Sequence, residues 1–125
     1  LNIEDKVTFV GRSKNIEAYY NTSKIFAFTS KSEGFPNVLL EAMYYELACI
    51  STNCLTGPSE LITQKENGIL IPIDDQKTLE KELEELINNT ELQKEYGKKA
   101  HESVLKYKSE IICEKWLDLA KSVIS

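Results

Sequence analysis

The chain has 125 residues, of which 42% are hydrophobic and 28% charged, so its length and composition are those of one globular domain or a piece of one. Fifteen Lys and Arg against twenty Asp and Glu give a formal net charge of −5, which argues against a protein whose main partner is nucleic acid. The apolar runs stay far below the ~18 residues of a membrane-spanning helix. Because the chain begins at Leu1 without an initiator methionine, we expect it to be part of a longer protein.

The cysteines and the single histidine, His101, do not predict a metal site. Zinc needs about four clustered ligands, and Cys49, Cys54 and Cys113 include no C-x-x-C pair. We therefore expect the cysteines to be small buried side chains in a reduced cytoplasm. His101 belongs to a polar helical segment, so we expect it to be a surface residue.

Residues 1–72 contain all three prolines and four of the five glycines, which predicts short elements separated by turns. Strands are expected at the apolar runs, over residues 7–10, 25–28, 48–51 and 68–71. Helices are expected from Asn15 to about Ser23, and from Pro36 or Asn37 onward.

Residues 73–125 contain one glycine and no proline, and their pattern is helical. Thr90 is expected to open one helix as the N-cap of a capping box with Gln93. The helices before and after it present apolar faces made of Leu79, Leu83, Leu86 and Ile87, and of Ile112, Trp116, Leu119 and Val123. Strands that alternate with helices predict an α/β domain, with a four-stranded parallel sheet and ligand loops in residues 1–72 and flanking helices in residues 73–125.

The segment Ser32–Ala42 combines a strand end, a glycine-containing loop and the start of a helix. In open α/β sheets ligands bind at the carboxyl ends of the strands, and the first N–H groups of a helix attract phosphate. Glu33 and Glu41 would repel phosphate, but carboxylates accept hydrogen bonds from sugar hydroxyls. The pattern therefore suggests a nucleoside diphosphate with sugars on either side. The residues alone leave open that Glu33 is a solvated loop residue and Glu41 an ordinary helix residue.

Residues 33–42, Glu-Gly-Phe-Pro-Asn-Val-Leu-Leu-Glu-Ala, resemble the E-x7-E signature of family 4 retaining glycosyltransferases. Three further segments resemble motifs of this family in the expected order: residues 7–11 (V-x-F-x-G), 57–62 (G-G-x-x-E-I/L-I) and 67–72 (N-G-x-L-V). The resemblance implies the GT-B architecture of two Rossmann-like halves, with this chain in the later part of the C-terminal, donor-binding half. Residues 46–48 depart from the common Gly-x-Pro, at a helix C-terminus, so we expect altered packing and intact chemistry there.

The same resemblance implies a role for each residue of the segment. Glu33 would be the catalytic residue that meets the transferred sugar, and Glu41 would hold the ribose hydroxyls. The backbone amides of residues 37–39 would bind the diphosphate, and residues 34–36 would wall the sugar pocket. The implied substrate-binding residues are Gly34, Phe35, Pro36, Asn37, Val38, Leu39 and Glu41, with Ser13 and Asn15 beside the base and Glu60 in support from a neighbouring loop. No metal is implied.

A member of this family would be a hexosyltransferase that moves a sugar from a nucleotide-sugar, expected to be a UDP-sugar, to a glycan or lipid-linked acceptor of a bacterial surface glycan. The donor is a substrate, so no cofactor is expected, and neither is a nucleic-acid partner. The acceptor would bind a missing N-terminal domain, so the chain alone should not catalyse transfer. A cytoplasmic location is expected, and the resemblance leaves open a peripheral association of the full-length protein with the inner face of the plasma membrane.

Two other functions fit parts of the pattern. Glycoside hydrolysis needs two carboxyls ~5–9.5 Å apart across one bond, whereas Glu41 follows Glu33 by a loop and a helical turn and would face a ribose, so we reject it. A degenerate binding module would keep the fold without catalysis and would not need both glutamates. Titration with UDP separates this module from an enzyme.

Overall fold

The computed structural model describes residues 2–107 together with Leu117, Ala120 and Lys121. The apolar helix face expected at Ile112, Trp116, Leu119 and Val123 and the burial expected for Cys113 lie outside the residues whose structure is described. Within the described part the chain forms three strands: β1 (Ile25–Phe28), β2 (Ala48–Thr52) and β3 (Ile69–Ile71). The α-helices are α1 (Ile16–Thr22), α2 (Asn37–Tyr44), α3 (Pro58–Leu61), α4 (Gln76–Asn88) and α5 (Thr90–Val104), with short 3-10 turns at Glu4–Lys6 and Leu105–Tyr107.

The three strands form a parallel sheet in the order β1-β2-β3, so the predicted α/β class with a parallel sheet and flanking helices is confirmed. Ile25 pairs with Ala48, and Ile50 pairs with Ile69. All five residues of β2 are buried because helices cover both faces of the sheet, as parallel sheets require. The side chains of β2 alternate: Cys49 packs with α2 and α5, and Ile50 packs with Leu86 of α4.

The strand predicted over residues 7–10 is wrong, and the described part of the sheet has three strands instead of four. These residues are exposed and carry no strand assignment, and Phe9 is 95% exposed. A strand exists only when a neighbouring strand accepts its hydrogen bonds. In the described part β1 pairs with β2 alone, and residues 7–10 pair with no strand, so β-propensity was not sufficient.

Two predictions about α4 and α5 need correction. The spacing predicts Ile87 on the apolar face of α4, but Ile87 is 62% exposed, because it follows the fully buried Leu86 by about 100° around the helix. The capping box at Thr90 is also wrong. The N-cap is Asn89, whose Oδ1 accepts a hydrogen bond from the N–H of Leu92 at 3.0 Å.

The predicted burial of Cys49 and Cys54 is confirmed, and burial raises the pKa of the Cys49 thiol. His101 differs from its expected place on the surface. It is half-buried, and its Nδ1 lies 2.5 Å from the backbone oxygen of Tyr44, against whose ring it also packs. The polar pattern of this helical segment therefore does not reveal that the ring of His101 packs on α2.

The turn between α2 and β2 is a Schellman motif with an unusual residue at its key position. The N–H of Leu47 donates to the oxygen of Ala42 at 3.2 Å, and the N–H of Glu46 donates to the oxygen of Met43 at 3.1 Å. Glu46 therefore occupies the left-handed position, with φ of 64°, where glycine is preferred. A Cβ on Gly97 of α5 would lie 2.1 Å from the Glu46 oxygen, so α5 packs directly on this turn.

Replacing Glu46 with Gly should increase the free energy of unfolding by about 1 kcal/mol. The left-handed conformation costs an L-residue roughly 1–2 kcal/mol, and glycine avoids this cost. The gain is reduced by about 0.5–1 kcal/mol, because glycine loses more backbone entropy on folding. Urea unfolding of the wild type, Glu46→Gly and Glu46→Ala tests this. The alanine variant keeps the Cβ and should show no such gain. A glycine variant no more stable than the alanine variant would refute the strain.

Candidate functional site

The parallel sheet brings two loops to one edge. The β1–α2 loop (residues 29–36) follows β1, and the β2–α3 loop (residues 53–57) follows β2, and the two strands are neighbours. The carboxyl ends of parallel strands meet at the same edge of a sheet, where ligands bind in open α/β folds. The predicted site segment therefore lies where such folds place their sites.

Hydroxyl groups from β2 and its loop hold the β1–α2 loop in place. Thr52 is 4% exposed, and its Oγ1 donates to the backbone oxygen of Ser30 and, at 3.5 Å, to that of Phe28. Oγ1 of Thr56 donates to the backbone oxygen of Glu33 at 2.5 Å. The hydroxyl of Ser30 donates to Oε1 of Glu33 at 2.6 Å. Both the backbone and the carboxylate of Glu33 are thus held by hydroxyl donors.

The sequence motif does not include Ser30, Thr52 or Thr56. All three carry a hydroxyl group: Ser30 lies two positions after β1, Thr52 is the last residue of β2, and Thr56 lies in the loop after β2. Polar residues that directly follow buried strands were the available signal, because they must lie at the carboxyl edge of the sheet.

Gly57 allows the two loops to approach each other closely. A Cβ at this position would lie 2.5 Å from Cδ of Pro36 and 2.7 Å from the backbone oxygen of Gly34. Its φ of 105° is also one that L-residues rarely adopt. Gly57 is buried under Pro36, so the entry into α2 rests on the β2–α3 loop.

Glu41 lies one turn into α2 and contacts α1. Tyr20 is 5% exposed, and its hydroxyl donates to Oε2 of Glu41 at 3.4 Å. Its ring stacks on Tyr45 at 5.3 Å and meets Phe26 edge-on at 6.2 Å. Burial, and then the charge of Glu41, raises the pKa of Tyr20 to about 12. The hydroxyl therefore remains a protonated donor at neutral pH.

The first turn of α2 begins directly behind the β1–α2 loop. The N–H of Asn37 donates to the oxygen of Phe35 at 3.0 Å, and the N–H of Leu40 donates to that of Pro36 at 3.1 Å. The N–H groups of Val38 and Leu39 lie between them in the first turn, where a helix provides no acceptor of its own. With the helix dipole, this end of α2 favours an anion.

The side chains next to this turn divide into exposed and buried ones. Phe35 is 40% exposed and Val38 47% exposed, and the ring of Phe35 packs on Tyr107 at 5.8 Å. The side chains of Pro36 and Leu39 are buried. Of the residues implied to wall a sugar pocket, Phe35 therefore presents a ring to solvent, whereas Pro36 contributes through the backbone that it fixes.

Ser13, Asn15 and Glu60 lie apart from the hydroxyl network. Asn15 is the N-cap of α1 as predicted, although its side chain makes no cap bond; its N–H donates to Oγ of Ser13 at 3.1 Å. Glu60 is exposed on α3. Among the described residues, none of the three side chains bonds to the β1–α2 loop, which the neighbouring loop supports through Thr56 and Gly57 instead.

A groove of about 580 Å³ lies beside the β1–α2 loop, between the sheet edge and α4. It is lined by Thr29, Thr52, Leu79 and Leu83, and by the acidic Asp74, Asp75 and Glu80. Three carboxyl groups repel phosphate, and none of the predicted site residues lines this groove. The end of α2 is therefore the better place for a phosphate group. In the described part of the chain, no group of three acidic, histidine or cysteine side chains is arranged to hold a metal ion.

Comparison with known protein families identifies the chain at the level of a glycosyltransferase family. The family model described as "Glycosyl transferases group 1" matches residues 1–103 of the chain. The chain belongs to the group 1 glycosyltransferase family. The matched region includes the three described strands and the β1–α2 and β2–α3 loops.

Relatives of this group 1 glycosyltransferase chain include bacterial proteins. It is 37% identical over 116 residues to an uncharacterized glycosyltransferase of Haemophilus influenzae, covering 93% of the chain and 33% of the relative. It is 35% identical over 118 residues to the amylovoran biosynthesis glycosyltransferase AmsD of Erwinia amylovora, covering 94% and 33%. An α-1,4-N-acetyl-D-galactosaminyltransferase of Campylobacter jejuni, acting on an undecaprenol-linked glycan by its name, shows the same identity and coverage. The chain spans about a third of the length of these relatives.

Solved structures share the fold. The crystal structure of TarM matches with a TM-score of 0.79 at 32% identity, covering 94% of this chain and 25% of TarM. A variant of Staphylococcus aureus TarM, in complex with fondaparinux, α-GlcNAc-glycerol and UDP, matches with a TM-score of 0.82 at 31% identity, covering 94% and 24%. The predicted Rossmann-like fold of a GT-B C-terminal half is confirmed, and the chain covers part of that domain.

Replacing Gly57 with Ala should lower the free energy of unfolding by at least about 2 kcal/mol, because the unusual φ and the clash with Pro36 add up. Gly34 offers a matched control. A Cβ there would meet nothing within 4 Å, so Gly34→Ala should change stability by less than about 0.5 kcal/mol. Thermal or urea unfolding of both variants measures the difference. Equal stabilities would show that the two loops do not depend on this close approach.

Proposed function

We propose that this chain is the donor-binding part of a retaining glycosyltransferase of family 4, which transfers a sugar from a UDP-sugar to a glycan or lipid-linked acceptor. One observation carries the proposal. Glu33 and Glu41 flank the N-terminal end of α2, and each carboxylate accepts a hydrogen bond from a hydroxyl group, Ser30 for Glu33 and Tyr20 for Glu41. Membership of the group 1 family and the likeness to TarM, solved with UDP, support a nucleotide-sugar as the ligand.

In this proposal the diphosphate of the donor binds at the first turn of α2. The N–H groups of Val38 and Leu39 donate to it, and that of Asn37 joins them if its bond to Phe35 opens. Glu41 accepts hydrogen bonds from the ribose hydroxyls, and Glu33 accepts them from the transferred sugar. Gly34, Phe35 and Pro36 form the wall beside that sugar. Ser13 and Asn15 lie beside the base, and the β2–α3 loop supports the site through Thr56 and Gly57.

The proposed reaction is a substitution at the anomeric carbon with retention. The bond from that carbon to the diphosphate oxygen breaks, and the oxygen of the acceptor hydroxyl bonds to the carbon from the same face. The proton of that hydroxyl passes to the oxygen of the leaving diphosphate. The end of α2 and basic side chains elsewhere in the protein stabilise the leaving diphosphate. Glu33 orients the sugar and stabilises the positive charge that develops on its ring. Neither a metal nor a cofactor takes part in this scheme.

The acceptor side of the proposal comes from the relatives, since the chain spans only about a third of their length. The names of AmsD and of the Campylobacter jejuni enzyme refer to amylovoran biosynthesis and to an undecaprenol-linked glycan. We propose a surface-glycan precursor as the acceptor, bound by the other half of the protein, and a cytoplasmic location for the reaction. None of the described helices is long and apolar enough to cross a membrane.

Glu41→Ala in the full-length protein should weaken UDP binding about ten-fold or more, because charge-assisted hydrogen bonds to the ribose are worth ~1.5–3 kcal/mol. Isothermal titration with UDP measures this, and Glu84→Ala, on the exposed side of α4, is the matched control that should bind like the wild type. Unchanged affinity in a folded Glu41→Ala protein would leave Glu41 a structural residue. A wild-type protein that does not bind UDP would favour the binding module without catalysis.

Glu33→Gln should lower turnover at least about ten-fold and leave UDP affinity nearly unchanged, because an interaction with the developing charge acts mainly in the transition state. Release of UDP from UDP-sugars gives turnover, and titration with UDP gives affinity. The amide keeps the size of the side chain and removes its charge. A variant that loses UDP binding but keeps turnover at saturating donor would contradict the assignment.

A further inference from the structure

The hydroxyl of Ser30 is the group that fixes the direction of the Glu33 side chain. It donates to Oε1 of Glu33 at 2.6 Å, a length typical of a charge-assisted hydrogen bond. Among the described residues Oε2 of Glu33 has no protein donor, and the residue is only half-buried. One oxygen is therefore held by the protein, and the other can accept a hydrogen bond from a ligand.

Ser30 itself is fixed from the neighbouring strand. Its backbone oxygen accepts a hydrogen bond from the hydroxyl of Thr52, which is buried at the end of β2 and reaches back to Phe28 as well. Oγ1 of Thr56 holds the backbone oxygen of Glu33 in the same way. The backbone at both ends of the Ser30–Glu33 hydrogen bond is thus anchored to the sheet and the loop after it.

We propose that Ser30 is a positioning residue for Glu33, an inference that rests on the proposed role of Glu33 in sugar transfer. A glutamate has three side-chain torsions, and a carboxylate that stabilises developing charge must be held near its productive geometry. Ser30 removes this freedom through a hydrogen bond to one carboxylate oxygen and leaves the other oxygen for the sugar. Thr52 and Thr56 act one step further away, on the backbone.

The test compares Ser30→Ala, Ser30→Thr and Glu33→Gln in the full-length protein. Turnover is the release of UDP from a panel of UDP-hexoses and UDP-N-acetylhexosamines with water as acceptor, and titration gives the affinity for UDP. Ser30→Ala should lower kcat about ten-fold while KM for the donor and UDP affinity stay within about two-fold. Ser30→Thr keeps the hydroxyl and should restore kcat to within about three-fold of the wild type.

The double variant separates positioning from general support of the loop. If Ser30 acts through Glu33, Ser30→Ala should have no further effect in a Glu33→Gln protein, whereas independent effects would multiply and overturn the inference. If Ser30→Ala does not fold, Ser30→Cys has nearly the same volume and a weaker donor, and should show the same loss of kcat. If both fail to fold, the hydroxyl serves the fold and the inference is wrong.

Failure of this inference is distinguishable from failure of the proposed function. A normal kcat for Ser30→Ala beside a strongly lowered kcat for Glu33→Gln would overturn the role of Ser30 alone. A normal kcat for Glu33→Gln, or no turnover of any donor by a wild type that does not bind UDP, would overturn the proposed function and this inference with it.

Discussion

The parallel pairing of β1 with β2 is the constraint on which the site depends. The register that pairs Phe28 with Ser51 ends both strands at one edge, so Thr52 lies beside the backbone that leaves β1. Its buried hydroxyl bonds the oxygens of Phe28 and Ser30 there. A shift of the register by one residue would turn Thr52 to the opposite face of the sheet and remove these bonds. The position of Glu33 is therefore set by the sheet as much as by its own loop.

The other end of α2 is fixed just as closely, and this determines where Glu41 points. The Schellman turn closes the helix at Glu46, and α5 packs Gly97 directly against the oxygen of that residue. At its start, α2 rests on Gly57 through Pro36. Because α2 is held at both ends, its rotation about its own axis is fixed. This rotation directs Glu41 toward the hydroxyl of Tyr20. The departure from glycine at position 46 thus adds strain without moving the site.

What the sequence predicted well depends on local patterns, and what it predicted wrongly depends on neighbours. Helical and strand periodicity was enough for the α/β class, and the motif was enough to locate Glu33 and Glu41 together. Residues 7–10 have strand propensity, but a strand needs a partner. Ile87 lies outside the buried face of α4, although its helical spacing predicts it there. The sequence does not predict the hydrogen bonds of Ser30 and Thr52, because these bonds depend on the register of β1 against β2 and on distances of a few ångströms.

The positions of the two carboxylates, Glu33 and Glu41, on either side of the start of α2 favour one shape of ligand. Glu41 follows Asn37 by four positions, which is about 6 Å along a helix axis, while Glu33 precedes the helix by a short loop. A diphosphate at the helix end would then have a carboxylate on either side, each repelling the phosphates and accepting from hydroxyls. A single phosphate would satisfy the helix end but offer nothing to one of the two acids. A diphosphate between two sugars would satisfy all three groups, and the proposed nucleotide-sugar donor has this shape.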